Sequence, residues 1–168
     1  MATAAAEPLD DGELAAFFAL MEVSSNLQHA VEQQLRTDGD VSCVQFLILA
    51  RLRDSPEGES RMTDLADLVV YSRSALTYQA AQMEKAGFIT RSPSVNDERS
   101  TTVKITDTGR ERVEKVLPGH IDVLRRLLLN PLGPQGVTTM NKTLECVRDA
   151  MRQTPPRSAA PRASNKQK

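Results

Sequence analysis

The chain has 168 residues, of which 40% are hydrophobic and 26% charged, with a formal net charge of −1, a composition that suits one globular domain with its own core. No apolar run approaches the roughly 18 residues a spanning helix needs, and the opening residues lack a basic flank and an apolar signal core, so a soluble, cytoplasmic protein without membrane contact is expected. Cys43, Cys146, His29 and His120 share no metal-ligand spacing, which argues against a disulfide scaffold or a structural metal, and no cofactor is expected.

Charge is unevenly distributed. Residues 1–60 carry 3 Lys/Arg against 11 Asp/Glu, residues 61–112 carry 8 against 7, and residues 113–168 carry 10 against 4. A uniformly basic nucleic-acid coat is excluded, but a local cationic surface is not, because phosphate contacts need clustered cations rather than a basic average.

From residue 13 to 35, Leu14, Phe17, Phe18, Met21, Leu27, Val31 and Leu35 recur mostly three or four apart, which predicts a long first helix that the run Thr37-Asp38-Gly39-Asp40 breaks. Ser42 and Gln45 form a capping-box pattern opening a second helix that ends near Arg53. Residues 54–59 read as an exposed loop, since Pro56 and Gly58 punctuate a polar run. Thr63 is expected to cap a short helix carrying Leu65, Ala66, Leu68 and Val69, and Ser72 to cap another running through Leu76, Ala80 and Met83 to Ala86, where Gly87 stops it. Residues 88–92 and 101–105 read as a hairpin with a polar tip, Val103 and Ile105 on its buried face and Thr102 and Lys104 on the other. Thr106 is expected to cap a helix containing Val113, Val116 and Leu117, which Pro118-Gly119 should bend or interrupt. A last helix is expected from near Pro134 to near Met151, followed by a disordered basic tail over residues 153–168.

Two short helices followed directly by a hairpin form the outline of a winged helix-turn-helix. A helix fits the major groove of B-DNA, and a thin polar hairpin reaches the neighbouring backbone or minor groove. The small Ala66 would let the helices cross closely and Leu76 would anchor the second to the core. Ser72, Arg73, Ser74, Ala75, Thr77, Tyr78 and Gln79 then stand at or near its start, several of them able to hydrogen-bond with DNA. Glu84, Lys85, Glu111 and Arg112 read as charges of solvated faces. Phe17, Leu20, Met21, Leu124, Leu127 and Leu128 could fill one core or seal a dimer, and a dimer is favoured because a small winged domain needs fewer large apolar residues. Cys43, in the first turn after Ser42, is either a thiol activated by helix-terminal N–H groups or a small half-buried residue. Cys146, in the pattern of Leu144 and Val147, reads as a packing residue. His29 and His120 read as surface or interface residues, with the lining of a ligand cleft as the alternative.

The ordered series Leu65-Ala66-Asp67, Ser72-Arg73-Ser74-Ala75-Leu76-Thr77, Met83-Glu84-Lys85-Ala86-Gly87-Phe88-Ile89, Asp97-Glu98-Arg99 and Ile105-Thr106-Asp107-Thr108-Gly109-Arg110 resembles the bacterial MarR (multiple antibiotic resistance regulator) transcription factors. The motifs span about residues 62–112, and the flanking helices agree with the family plan across residues 12–152. The resemblance implies a mainly α fold with a small β-hairpin: a winged helix-turn-helix over residues 42–112, an N-terminal dimerisation helix over 12–36 and C-terminal dimerisation helices over 113–152. It further implies a homodimeric repressor on a pseudo-palindromic operator in double-stranded DNA, released by a small-molecule effector whose binding residues the sequence does not indicate.

Carried onto this chain, residues 72–79 would supply the recognition-helix contacts, with Arg73 the strongest reader, and Arg99 at the wing would enter the minor groove with Asp97 holding it in place. Arg61 and Lys104 are phosphate contacts by charge and location. Two positions depart from the family pattern: Val70 stands where many relatives have Gly in the turn, and Tyr78 where a basic residue is common. Two alternatives stay open, a thiol-based redox-sensing regulator using Cys43 and a winged-helix protein-interaction module without DNA binding. Enzymatic activity is not expected, since the chain has no Gly-rich phosphate loop, no G-x-S-x-G elbow and no His/Glu metal motif.

Overall fold

The computed structural model describes residues 7–69, 73–94 and 97–153, with side chains at all of these except 66–69, 73–75, 94, 97–100 and 153. The expected turn at Val70, the Ser72 cap and the tail beyond residue 153 lie outside the described residues.

Helix α1 (Asp11–Gly39) begins with a capping box in which the Glu13 N–H donates to Asp10 Oδ1 at 2.8 Å and the Asp10 N–H to Glu13 Oε2 at 2.9 Å. The expected break over residues 37–40 is confined to its last residue. Thr37 stays helical, its hydroxyl donating to the Gln33 carbonyl, and only Asp40 turns left-handed at φ 50°, its N–H capping the carbonyls of Arg36 and Leu35. Helix α2 (Cys43–Asp54) opens on the Ser42–Gln45 capping box as expected.

The segment read as a loop, residues 54–59, is largely the expected turn, and only its last residue belongs to a strand. A 3₁₀ turn over Pro56–Gly58, with Glu57 and Gly58 both at positive φ, delivers strand β1 (Glu59–Arg61) to one edge of a three-stranded antiparallel sheet. Strand β1 pairs with β3 (Asp97–Ile105), opposing Glu59 to Lys104 and Arg61 to Thr102; β3 pairs on its other edge with β2 (Ile89–Ser94). Helix α3 (Met62–Val69) starts directly from β1, so Thr63 lies inside it and donates to Asp64 Oδ1 rather than capping the helix. Helix α4 (Arg73–Lys85) follows, and Gly87 at φ 75° turns the chain into β2.

One core joins these elements. Leu35 and Val41 close it from the α1 end, Phe46, Ile48, Leu49 and Leu52 from α2, Leu76, Ala80 and Met83 from α4, and Ile89, Val103 and Ile105 from the sheet. Val103 and Ile105 are buried and Lys104 exposed, the alternation expected of a half-covered strand.

Helix α5 (Asp107–Leu124), capped by Thr106, crosses Pro118-Gly119 without interruption. Pro118 lies on an exposed face, and Gly119 lets α5 approach α1: a Cβ there would lie 2.4 Å from Asp38 Oδ2. The irregularity comes later, as a π-turn over Arg125–Leu129 and a break at Gly133 (φ 63°) inside helix α6 (Asn130–Gln153). Among the described residues, no helix is long and apolar enough to cross a membrane.

Gly109, at the start of α5, backs onto the Phe88 carbonyl, and a Cβ there would sit 2.2 Å from that oxygen and 2.9 Å from Ile105 Cγ1. Gly109→Ala is therefore expected to destabilise the fold by about 1–3 kcal/mol despite its better helix propensity. A lower urea midpoint with an unchanged slope would show it.

Candidate nucleic-acid interface

Helix α4 is anchored along one side by Leu76, Ala80 and Met83, each at most 2% exposed, a spacing that buries one stripe and leaves the opposite side free. Tyr78 is 62% exposed on that free side, Thr77 is exposed and Gln79 is half-buried. Arg73, Ser74 and Ala75 form the first turn of α4. Asp97 and Arg99 belong to β3, at its end nearest the hairpin tip; the expected hold of Asp97 on Arg99 concerns side chains outside those described. Arg61 is exposed at the end of β1, and Lys104 is exposed on β3, its Nζ 3.8 Å from Glu59 Oε2 on the neighbouring strand. Such an exposed ion pair is weak and yields readily to a phosphate.

The wing is joined to α4 by an ion pair between Glu84 and Arg91. Glu84, read as a solvated charge, takes Arg91 on β2 in a forked contact: Nη2 at 2.6 Å and Nε at 2.9 Å to Oε2, with the Arg91 N–H at 3.1 Å to Oε1. The Arg91 guanidinium holds the Glu84 carboxyl below the usual carboxylate range. Arg112 is likewise no simple solvated charge, since its guanidinium donates to the Gly39 carbonyl and lies over the Phe88 ring. Neither contact has a local signature, because each joins residues brought together by the turn at Gly87 or by the approach of α5 to α1.

A cavity of about 490 Å³ lies beside α4, lined by Ser25, Gln28, His29 and Glu32 from α1, by Ser42, Cys43 and Val44, and by Gln79 from α4 itself. Glu32 is held there by the Cys43 N–H at 2.6 Å and by Arg36 at 3.0 Å. Of the two readings of Cys43, the structure supports the small half-buried residue: burial first, and then the nearby Glu32 carboxylate, push the thiol pKa up. His29 lines the cavity. His120 instead packs on the Phe46 ring at 4.6 Å, where burial pushes its pKa down. Cys146 is exposed, as are Leu144 and Val147, so its packing role is not met within one chain. Among the described residues, no three His, Cys, Asp or Glu side chains gather as a metal site would require.

The sequence model of the MarR family matches residues 41–101. The HTH-type transcriptional repressor YetL of Bacillus subtilis is 27% identical over 122 residues, 73% of this chain and 72% of that protein. Among solved structures, Sco3205 of Streptomyces coelicolor, a MarR family regulator crystallised with DNA, superposes with a TM-score of 0.85 at 26% identity, covering 93% of this chain and 97% of that one. AbsC of the same organism, also a MarR family regulator, superposes at 0.83 with 30% identity, covering 88% and 99%.

Because the folded-state pKa of Glu84 is depressed, its contribution to stability is fully present above the unfolded carboxylate value of about 4.3 and is lost as pH falls through the lower folded value. Glu84→Gln is accordingly expected to lower the melting temperature at pH 7, and the gap to the wild type should close as the pH is taken below about 4. Thermal melts across that range check it.

Proposed function

The chain belongs to the MarR family and is a DNA-binding transcriptional regulator; from that premise we propose that it acts as a homodimeric repressor, reading two half-sites through α4 and the β2–β3 wing. The observation that carries this reading is the Glu84–Arg91 fork, which joins recognition helix and wing while Tyr78 on the outer side of α4 stays exposed. Ser72, Arg73, Ser74, Ala75, Thr77, Tyr78 and Gln79 supply the major-groove contacts in this reading, with Arg73 the main base or phosphate reader, Arg99 enters the minor groove, and Arg61 and Lys104 take phosphates.

Dimerisation is supported by apolar surface that one chain leaves uncovered. Leu14, Phe17, Phe18, Leu20 and Met21 on α1 and Leu144, Val147 and Met151 on α6 are all exposed, and a soluble monomer rarely leaves so much apolar helix face in water. A second copy covering these helices sets two winged units against half-sites about one helical turn apart. The cavity beside α4 is the place for a small-molecule effector, since Gln79 lies both in its wall and on the recognition helix. An effector that weakens operator binding there is itself weakened by operator to the same extent.

Affinity selection on random duplex DNA tests this reading. A two-fold-symmetric site is expected, which Arg73→Ala and Arg99→Ala each bind more weakly by about 1–3 kcal/mol while the melting temperature holds. Recovery of no preferred sequence, with both variants indistinguishable from the wild type, would overturn it in favour of a protein-interaction module.

A further inference from the structure

The last carbonyls of a helix carry partial negative charge and have no donors within the helix. At the end of α1, the Asp40 N–H takes the carbonyls of Arg36 and Leu35, while the Gly39 carbonyl is taken by Nη1 of Arg112, from the second turn of α5. The same guanidinium lies over the Phe88 ring, 5.0 Å from its centroid. A planar guanidinium does both at once, because its edge donates N–H bonds while its face stacks. Gly39 makes room for the contact: a Cβ there would lie 2.2 Å from Val116 Cγ1 and 3.3 Å from Arg112 Cδ.

Phe88 is where recognition helix, wing and α5 converge. Its N–H donates to the Met83 carbonyl of α4 at 2.9 Å, and its carbonyl accepts the Thr106 N–H at 3.0 Å. The Thr106 hydroxyl donates to the Gly87 carbonyl at 2.6 Å, and Gly109 presses on the Phe88 carbonyl from α5. The Phe88 ring is itself buried, so it has little freedom to follow a displaced partner. One side chain, Arg112, thus ties the end of the long helix α1 to the point from which α4 and the wing both spring.

We propose that Arg112 is a positioning residue that sets the angle of each winged unit on α1 and thereby the half-site spacing the dimer accepts. The inference rests on the dimeric DNA-binding reading above. In a dimer joined through the terminal helices, the separation of the two recognition helices is only as well defined as the joint between α1 and each winged unit. Half-sites recur with the turn of the duplex, so a loose joint costs selectivity for spacing and leaves the reading of each half-site intact. The contacts of Arg112 are with the Gly39 carbonyl and the Phe88 ring, so its effect on α4 passes through Phe88.

The test uses full-length protein and three kinds of duplex: the selected operator, the same operator with its spacer lengthened or shortened by one base pair, and an isolated half-site. Binding is read by fluorescence anisotropy at fixed salt. The wild type is expected to prefer the correct spacer by about tenfold or more, the scale of one lost base contact. Arg112→Met, which keeps the stem and drops the guanidinium, is expected to narrow that preference to about threefold or less while binding the isolated half-site within about twofold of the wild type. Arg112→Lys, whose ammonium reaches the carbonyl or the ring but not both, should fall between them. Phe88→Leu, which removes the ring and keeps a core side chain, should narrow the preference as Arg112→Met does, and it provides the test if Arg112→Met folds poorly. Undiminished spacing preference in either folded variant overturns the proposal, as does an equal loss on the operator and on the isolated half-site. A wild type with no spacing preference overturns the dimeric reading beneath it, and the proposal with it.

Discussion

Gly39 near the end of α1 and Gly119 in α5 bring two helices so close that a methyl group at either would collide with the other helix. Through this seam, α1 is fastened to the winged unit. The Gln34 amide donates across it to the Val116 carbonyl at 3.0 Å, and Val116 and Leu35 are fully buried beside it. Loss of the close approach would leave the amide only its contact with Asp38 Oδ2, at 2.8 Å within α1, and would take the Arg112 donor from the Gly39 carbonyl; polar groups unpaired away from water are costly. The seam therefore depends on the absence of a side chain at Gly39, against the buried Val116, as much as on the apolar ones present.

From that seam the molecule divides by what each part does with its apolar surface. The winged unit buries its own: α2, α4 and the sheet converge on a core whose members include Leu49, Leu76, Met83 and Val103. The first half of α1 and most of α6 do not, and their exposed leucines, phenylalanines and valines carry the hydrophobic stripe outward. A helix of this kind gains most of its stability from packing rather than from propensity. The two parts thus stand in different relations to water, one burying its apolar surface and the other leaving it exposed, with α5 belonging to both.

Electrostatics follows the same division. The pairs that hold geometry, Glu84 with Arg91 and Arg112 with the Gly39 carbonyl, are half-buried and bridge different elements. Pairs such as Arg126–Asp122 and Arg148–Glu145 lie within one turn of a helix on exposed surface, where water and salt screen them. Cys43 shows how a single tertiary contact can reverse a local expectation. A helix N-terminus favours a thiolate, but burial of the side chain and then the negative charge of Glu32 from α1 raise its pKa instead.

Much of the fold is legible in the chain because the determinants are local. The apolar spacing of α1, the capping box at Ser42, the Thr106 cap, the Gly87 stop and the alternation around Val103 and Ile105 all act within a few residues, and each stands where the sequence places it. The ordered motifs from Leu65 to Arg110 likewise carry the family and its DNA-binding role without coordinates. Strand β1 carries no such signal, since Glu59, Ser60 and Arg61 become a strand only by finding the free edge of β3. Nor does Pro118 announce that its helix continues, because on an exposed face the lost hydrogen bond can be made to water. Element types, caps and family were determined by the sequence itself, through steric and hydrogen-bonding preferences that act over one or two helical turns. The Glu84–Arg91 fork, the double contact of Arg112, the raised thiol pKa of Cys43 and the cavity beside α4 were decided only by tertiary structure, because each depends on groups that meet in space after the chain has turned back on itself.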